Sequence, residues 1–182
     1  MSYYTIYHSP ISDIIITSDG EYLTGLYFDG PIDSSKHTLN TLVQPSDIPV
    51  LSETVMWLDT YFSGQIPSFT PKYKLDNLTP FRKNVVDVIT HIPYGKVITY
   101  GDIANMIAKK NGIKKMSAQA VGNAVGWNPI CIIIPCHRVV GANHNLTGYG
   151  GGIQNKIGLL KIEKIDTSKY YLPKSNKGVK HD

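Results

Sequence analysis

The hydrophobic period of this chain is that of strands near the front and mainly helical behind it, and that change limits the possible folds more than any other feature. Near the front, YYTIYH, IIITSD and LTGLYF are short runs rich in β-branched and aromatic residues, separated by Pro10 and by Asp19-Gly20. Runs of this kind with this punctuation predict antiparallel strands joined by tight turns. Residues 29–48 carry no clear period and are rich in turn formers, as an exposed connection is. VLSETVMWLDTYFSG then takes up helical spacing, with Leu51, Val55, Leu58 and Phe62 on one stripe and Gly64 as a stop. Residues 64–78, with Pro67 and Pro71 among mixed polar residues, read as a linker.

From Thr79 the period is mainly helical. In TPFRKNVVDVITHIPYG, Thr79 can cap a helix whose first position suits Pro80. Its buried face is Phe81, Val85, Val88 or Ile89, and Ile92, and Pro93 and Gly95 end it. VITYGDIANMIAKKNG predicts a short extended step into a second helix closed by Gly112, and Ser117 can cap a third, SAQAVGNAVGWN. This is the outline of a helix-turn-helix unit, although two consecutive amphipathic helices occur in many unrelated folds. Ile130, Ile132, Ile133 and Ile134 read as a buried strand that delivers Pro135-Cys136-His137-Arg138 at its end. LTGYGGG is a glycine-rich loop, IGLLKIEK a final helix, and the residues after Tyr170 a frayed basic tail.

Composition excludes several classes. With 182 residues, 42% hydrophobic and 18% charged, the chain can bury a core and is not disordered as a whole. It has no apolar run long enough for a membrane span, and its front lacks the basic and apolar regions of a secretory signal. The net charge of +4 hides an asymmetry. Residues 1–80 hold nine acids and three bases, whereas residues 81–182 hold fifteen bases and five acids. A basic back half points to a polyanionic partner. The two cysteines, Cys131 and Cys136, have a spacing that suits neither a zinc ribbon nor a CxxC redox pair, so a reducing cytoplasm is the expected compartment.

Cys136 is the candidate centre of chemistry. A thiol becomes a strong nucleophile only as thiolate, and a neighbouring base or positive field must favour that form. Pro135 stiffens the approach, and His137 and Arg138 follow at once. A buried apolar cysteine beside a chance histidine reads the same way. Neighbours on an extended segment also point to opposite sides, so a thiol–imidazole contact needs a sharp turn or an intervening water.

The stretch IIIPCHRVVGANHNLTGYGGG, with TPFRKNVVDVITHIPYGKVITYGDIA and AVGNAVGWNP upstream, resembles the O6-alkylguanine-DNA alkyltransferases over residues 79–165. The front half fits that family's variable α/β domain more loosely. The resemblance and the patterning together imply an α+β fold. An N-terminal α/β domain with a small antiparallel sheet covers residues 1–75, a C-terminal, mostly helical, winged helix-turn-helix-like domain covers 76–170, and a flexible basic tail covers 171–182.

The resemblance implies DNA repair by direct reversal, in which an alkyl group moves from O6 of a damaged guanine to the protein's own cysteine, once per molecule. The implied partner is double-stranded DNA containing O6-alkylguanine, met by a monomer without cofactor or metal; O4-alkylthymine as a substrate stays open. Cys136 would be the nucleophile, and His137, polarised by Glu163, would take its proton through a water. Tyr100 would hydrogen-bond the guanine ring, and Asn128 would brace the active-site turn. The carbonyls of Cys136 and Val139 would accept from the guanine amino group, Tyr149 and Gly150 would close over the base, and Arg138 belongs with these substrate-binding residues.

The damaged nucleotide would be flipped from the minor groove by a small-sided helix containing Ser117, Ala118, Ala120, Gly122 and Asn123. Tight packing against a neighbouring helix accounts for Ala118, Ala120, Gly122, Ala124 and Gly126 equally well. Gln119 stands where many members have an arginine, which implies a weaker grip on DNA. Lys109, Lys110, Lys114 and Lys115 flank the helix and could meet phosphates. No cysteine precedes Cys131, so the structural zinc of some members is not expected. Two other readings compete: a Cys-His hydrolase, which needs an oxyanion hole and turnover, and a non-catalytic damage-recognition protein, in which the nucleophile would be replaced.

Overall fold

The computed structural model of the chain describes residues 1–30, 41–146 and 148–172. The three apolar runs at the front form a meander. Strands β1 (Tyr3–His8), β2 (Asp13–Ser18) and β3 (Leu23–Phe28) pair antiparallel in sequence order. The turn at Asp19 closes because its carboxylate accepts from the amides of Glu21 (3.0 Å) and Tyr22 (2.8 Å). A two-residue strand β4 (Thr41–Leu42) adds to β1 in parallel, so the sheet is mixed rather than purely antiparallel, in the order β3-β2-β1-β4. Two residues are too few to leave a period in a sequence. The part of the expected connection at residues 31–40 lies outside the described residues.

Helix α1 (Pro49–Phe62) covers the sheet, burying Val50, Leu51, Thr54, Trp57, Leu58 and Tyr61. Val55 and Phe62, expected on the inner stripe, are only half-buried. The face is rotated because Trp57 and Tyr61 stack one turn apart, centroids 5.5 Å, and two rings bury more apolar area than Val55 offers.

Helices α2 (Pro80–Thr90) and α4 (Ala118–Trp127) start at the predicted caps, and α3 (Tyr100–Lys110) follows the expected extended step. The Thr79 hydroxyl accepts from the Arg82 amide and the Ser117 hydroxyl from the Ala120 amide, both at 3.2 Å. Thr99 and Asp102 form a reciprocal capping box at 3.0 and 3.1 Å. Gly112, at φ +64°, turns the chain out of α3. Strand β5 (Ile98–Thr99) leads into α3 and pairs parallel with β6 (Val139–Val140). Helix α5 (Ile153–Ile162) closes the domain. Among the described residues no helix is long and apolar enough to cross a membrane.

The isoleucine run departs from expectation. Ile130, Ile132 and Ile134 are buried, but only Ile130 makes a ladder contact, a bridge to Leu26. Ile132 lies at φ +69° and the Ile134 amide bonds the Ile130 carbonyl (3.1 Å), so the segment is a turn, not a strand. A left-handed β-branched residue costs about 1–2 kcal/mol, which the surrounding contacts must offset. Those contacts come from the free edge of β3. The Leu26 amide bonds the Pro129 carbonyl (2.9 Å) and the Cys131 amide bonds the Leu26 carbonyl (2.8 Å). Further along the same edge, Leu23 exchanges bonds with Lys72 and Lys74 of the linker, so no exposed strand edge remains there. One apolar core consequently runs from Ile14 and Leu26 through Leu58 to Val85, Ile103, Val125 and Val139. Beyond α5, Tyr171 bridges Asn145, while residues 173–182 of the expected tail lie outside the described residues.

Candidate active site

The turn that replaces the strand is held at both ends by one side chain. Asn128, at the end of α4, donates from Nδ2 to the Ile134 carbonyl (2.9 Å) and accepts at Oδ1 from the Ile130 amide (3.0 Å). The Cys136 amide then bonds the Ile134 carbonyl (2.8 Å), and Cys136–Arg138 form a single 3-10 turn. Cys136 and His137 therefore do not follow the alternating geometry of an extended segment.

His137 is fully buried. Its Nε2 lies 3.1 Å from Glu163 Oε2, with Tyr61 Oη 3.4 Å away. The guanidinium of Arg138 also grips Glu163, with Nε 2.9 Å from Oε1 and Nη2 on the same oxygen, and Nη1 donates to the Ile92 carbonyl (2.7 Å). Burial pushes the Glu163 carboxyl up, but the bonds from His137 and Arg138 outweigh it and hold Glu163 below its usual range. An ionised Glu163 can only accept, so Nε2 carries the proton and Nδ1 keeps its lone pair. Nδ1 is buried and bonds no protein group. Burial lowers the His137 pKa, partly opposed by Glu163, so the ring is neutral at neutral pH and Nδ1 is a base.

Cys136 lines a cavity of about 60 Å³ with Tyr27, Trp127, Asn128, Cys131 and Tyr149, floored by Gly148, Gly150 and Gly151. The neighbouring Cys131 thiol is the largest influence on Cys136. Together with Asn128 and the charge of Lys156 it outweighs burial and lowers the Cys136 pKa. Gly151 admits no side chain, since a Cβ there would lie 2.8 Å from Phe28 Cδ2. The loop's glycines therefore serve close approach as well as turning.

A larger groove of about 540 Å³ opens beside this cavity, and Gly148 borders both. Its walls include Tyr100, Ala118, Gln119, Gly122 and Asn123. Tyr100 thus faces the helix groove and does not line the cavity of Cys136. Packing does not explain the small residues of α4 that face outward. A Cβ on Gly126 would meet nothing within 4 Å, and one on Gly122 would make an ordinary 3.8 Å contact with Tyr100. Gln119, Gly122, Asn123 and Gly126 fall on one helical stripe, which keeps a backbone approachable from outside. Ser117 is occupied as the cap and Ala120 is half-buried. Arg138, expected among the substrate contacts, lines neither space; its guanidinium is committed to Glu163 and Ile92.

Lys156 escaped the sequence reading. It is fully buried, its Nζ donates to the Val139 carbonyl (2.6 Å), and burial pulls its pKa down to about 8, with Cys136 opposing. The Cys136 carbonyl in turn accepts from the Val139 amide. A signal did exist. Lys156, Leu159, Leu160 and Glu163 are spaced for one helical face, and two charges on an apolar stripe mark groups with buried partners. Among the described residues no three His, Cys, Asp or Glu side chains cluster as a metal site.

Residues 80–165 match the family model described as the DNA binding domain of 6-O-methylguanine DNA methyltransferase, and residues 2–76 match the ribonuclease-like domain of the same enzyme. The methylated-DNA–protein-cysteine methyltransferase of Haemophilus influenzae is 37% identical over 164 residues, 90% of this chain and 87% of that protein. The protein of that name from Methanosarcina acetivorans is 38% identical over 163 residues, 88% of this chain and 97% of its own length. The crystal structure of Mycobacterium tuberculosis OGT in complex with DNA aligns with a TM-score of 0.72 at 37% identity, covering 89% of this chain and 92% of that one.

Proposed function

The chain belongs to the 6-O-methylguanine-DNA methyltransferase family, and from that premise we propose that Cys136 is the alkyl acceptor and His137 Nδ1 the base that takes its proton through a water. The enzyme repairs DNA by moving an alkyl group from guanine O6 onto its own cysteine. The Cys136 thiolate attacks the alkyl carbon, the new S–C bond forms as the C–O6 bond breaks, and the electron pair leaves with the guanine. Tyr100 donates to the guanine ring as that charge develops. The base reaches the cavity by leaving the duplex, with α4 in the minor groove and Gln119 filling the gap. The carbonyls of Cys136 and Val139 each have a second lone pair for the guanine amino group, and Gly150 meets the base by its main-chain N–H.

The observation that carries this reading is the His137–Glu163 pair, which leaves one basic, unpaired ring nitrogen on the residue that follows a thiol whose surroundings favour the anion. A thioether is not cleaved by this machinery, so each molecule acts once. A nucleophilic thiol also fits the cytoplasm, where thiols stay reduced.

Protein mixed with a duplex containing O6-methylguanine is weighed intact and then as peptides. One added methyl per chain, on the peptide bearing Cys136, is the expected result, and Cys136→Ser gains none. A hydrolase would release product without a mass gain, and a recognition protein would bind without either. An undiminished gain in Cys136→Ser would overturn the assignment.

A further inference from the structure

The glycine loop that lines the cavity of Cys136 is tied to the front of the chain by one side chain. Asn155, in the first turn of α5, donates from Nδ2 to the Gly151 carbonyl (2.7 Å) and accepts at Oδ1 from the Ser12 hydroxyl (3.0 Å). Both ends of the amide are used, each in the sense its chemistry allows. Ser12 closes the turn between β1 and β2, and Ser9 stiffens that turn. The Ser9 hydroxyl donates to the Ser12 carbonyl (2.6 Å) and accepts from the amides of Ile11 (3.2 Å) and Ser12 (3.1 Å). The turn also seats directly on α5. A Cβ at Gly158 would lie 2.8 Å from Ile11 Cδ1, so the helix carries a notch there that a side chain would fill. Gly151 itself abuts Phe28 of β3. Two parts of the front sheet therefore bear on this one loop residue, Phe28 by contact and Ser12 through Asn155.

We propose that Asn155 is a positioning residue of the transfer reaction: it holds Gly151, and with it Tyr149 and Gly150, where the loop closes over the flipped guanine, and it takes that position from the β1–β2 turn. The inference rests on the reading that this cavity receives the damaged base. Asn155 lines neither the cavity nor the groove of α4, so it acts through the loop. A glycine-rich segment has many accessible conformations, and fixing it before the base arrives removes an ordering cost from the reaction. A role confined to starting α5 makes a different demand. In the first turn of a helix a carboxylate suits the positive end of the helix at least as well as an amide does. A carboxylate cannot, however, donate to the Gly151 carbonyl. Asn155→Asp therefore separates the two roles. The β1–β2 turn, 143 residues away in sequence, thereby takes part in holding the base.

Single-turnover transfer from a saturating O6-methylguanine duplex is compared at neutral pH for the wild type, Asn155→Asp, Ser12→Ala and the double variant. Thermal unfolding, and affinity for an unmodified duplex by fluorescence anisotropy, are measured for each. Asn155→Asp should melt within about 4 °C of the wild type and bind the unmodified duplex equally. It should nevertheless transfer about tenfold more slowly, the loss expected when one part-buried hydrogen bond turns repulsive. Ser12→Ala leaves Asn155 on Gly151 but frees its other end, and should slow transfer about threefold. In the double variant the link to the loop is already cut, so its rate should equal that of Asn155→Asp. A wild-type rate in either single variant would overturn the proposal. So would slower transfer matched by an equal fall in affinity for the unmodified duplex, or a Ser12→Ala loss that persists in full on top of Asn155→Asp. Peptide mass separates the two levels. Without methyl on Cys136 in the wild type the reading of the cavity itself fails; with methyl there and unchanged rates, only the role of Asn155 does.

Discussion

Replacing Glu163 by Gln removes one charge and almost no volume, at a point where two cationic or polar partners converge. Glu163 is 2% exposed, and Arg138, whose side chain is 11% exposed, has besides it the Ile92 carbonyl and the face of the Tyr94 ring at 5.8 Å. Removing one partner of a buried ion pair costs about 3–5 kcal/mol, because the remaining charge is stranded. Ile92 and the amide oxygen of Gln can still accept from Arg138, so the lower end, about 3 kcal/mol, is the expected loss. For a chain of this size that lowers the melting temperature by roughly 6–12 °C. Linkage gives the loss a pH signature. The folded-state pKa of Glu163 is depressed, so the pair contributes fully above the ordinary carboxylate value of 4.5 and is lost as pH falls through the lower folded value. Urea unfolding of both proteins across an acid pH series should show a gap near 3 kcal/mol at neutral pH that closes in acid. Transfer should slow by about a hundredfold, since the general base loses the group that fixes its tautomer. A neutral-pH gap below about 1 kcal/mol, as for an exposed pair, would refute the reasoning, and so would a gap that does not close.

Two further outcomes test neighbouring claims. Lys156 has a depressed folded pKa of about 8, so burying its charge costs stability below that pH and the cost fades towards the ordinary value of 10.5. Relative to Lys156→Met, the wild type should therefore gain about 3 kcal/mol between those limits in urea titrations, and the variant should also transfer more slowly at neutral pH. A flat difference would mean that the lysine is solvated. Gly122→Leu projects into the groove of α4 rather than into the core, so its melting temperature should stay close to the wild type while duplex binding by fluorescence anisotropy weakens about tenfold or more. Unchanged binding would remove α4 from the DNA contact.

Local signals read well wherever the chain itself supplies the hydrogen-bond partner. Thr79, Ser117 and the Asp19 turn satisfy amides within three residues, so their elements begin where the sequence places them. Four isoleucines in five positions misled because periodicity registers burial and not backbone direction. The bonds that bend the run come from Leu26 and Asn128, neither of which an apolar count can weigh. Arg138 was misplaced for a related reason. Adjacency to Cys136 says nothing about which way a long side chain turns once a buried carboxylate lies within reach.

The sequence by itself determined the α+β order of elements, the starts of α2 and α4, the charge asymmetry and the reactive tetrapeptide, because each depends on residues close together in the chain. Only the tertiary structure decided that the tetrapeptide sits on a tight turn, that His137 is neutral with a free Nδ1, and that Cys131 and Lys156 both bear on Cys136. Those properties arise from burial and from partners distant in sequence, such as Glu163 and the edge of β3. The energy of a buried charge depends on what surrounds it in space, and no local pattern carries that information.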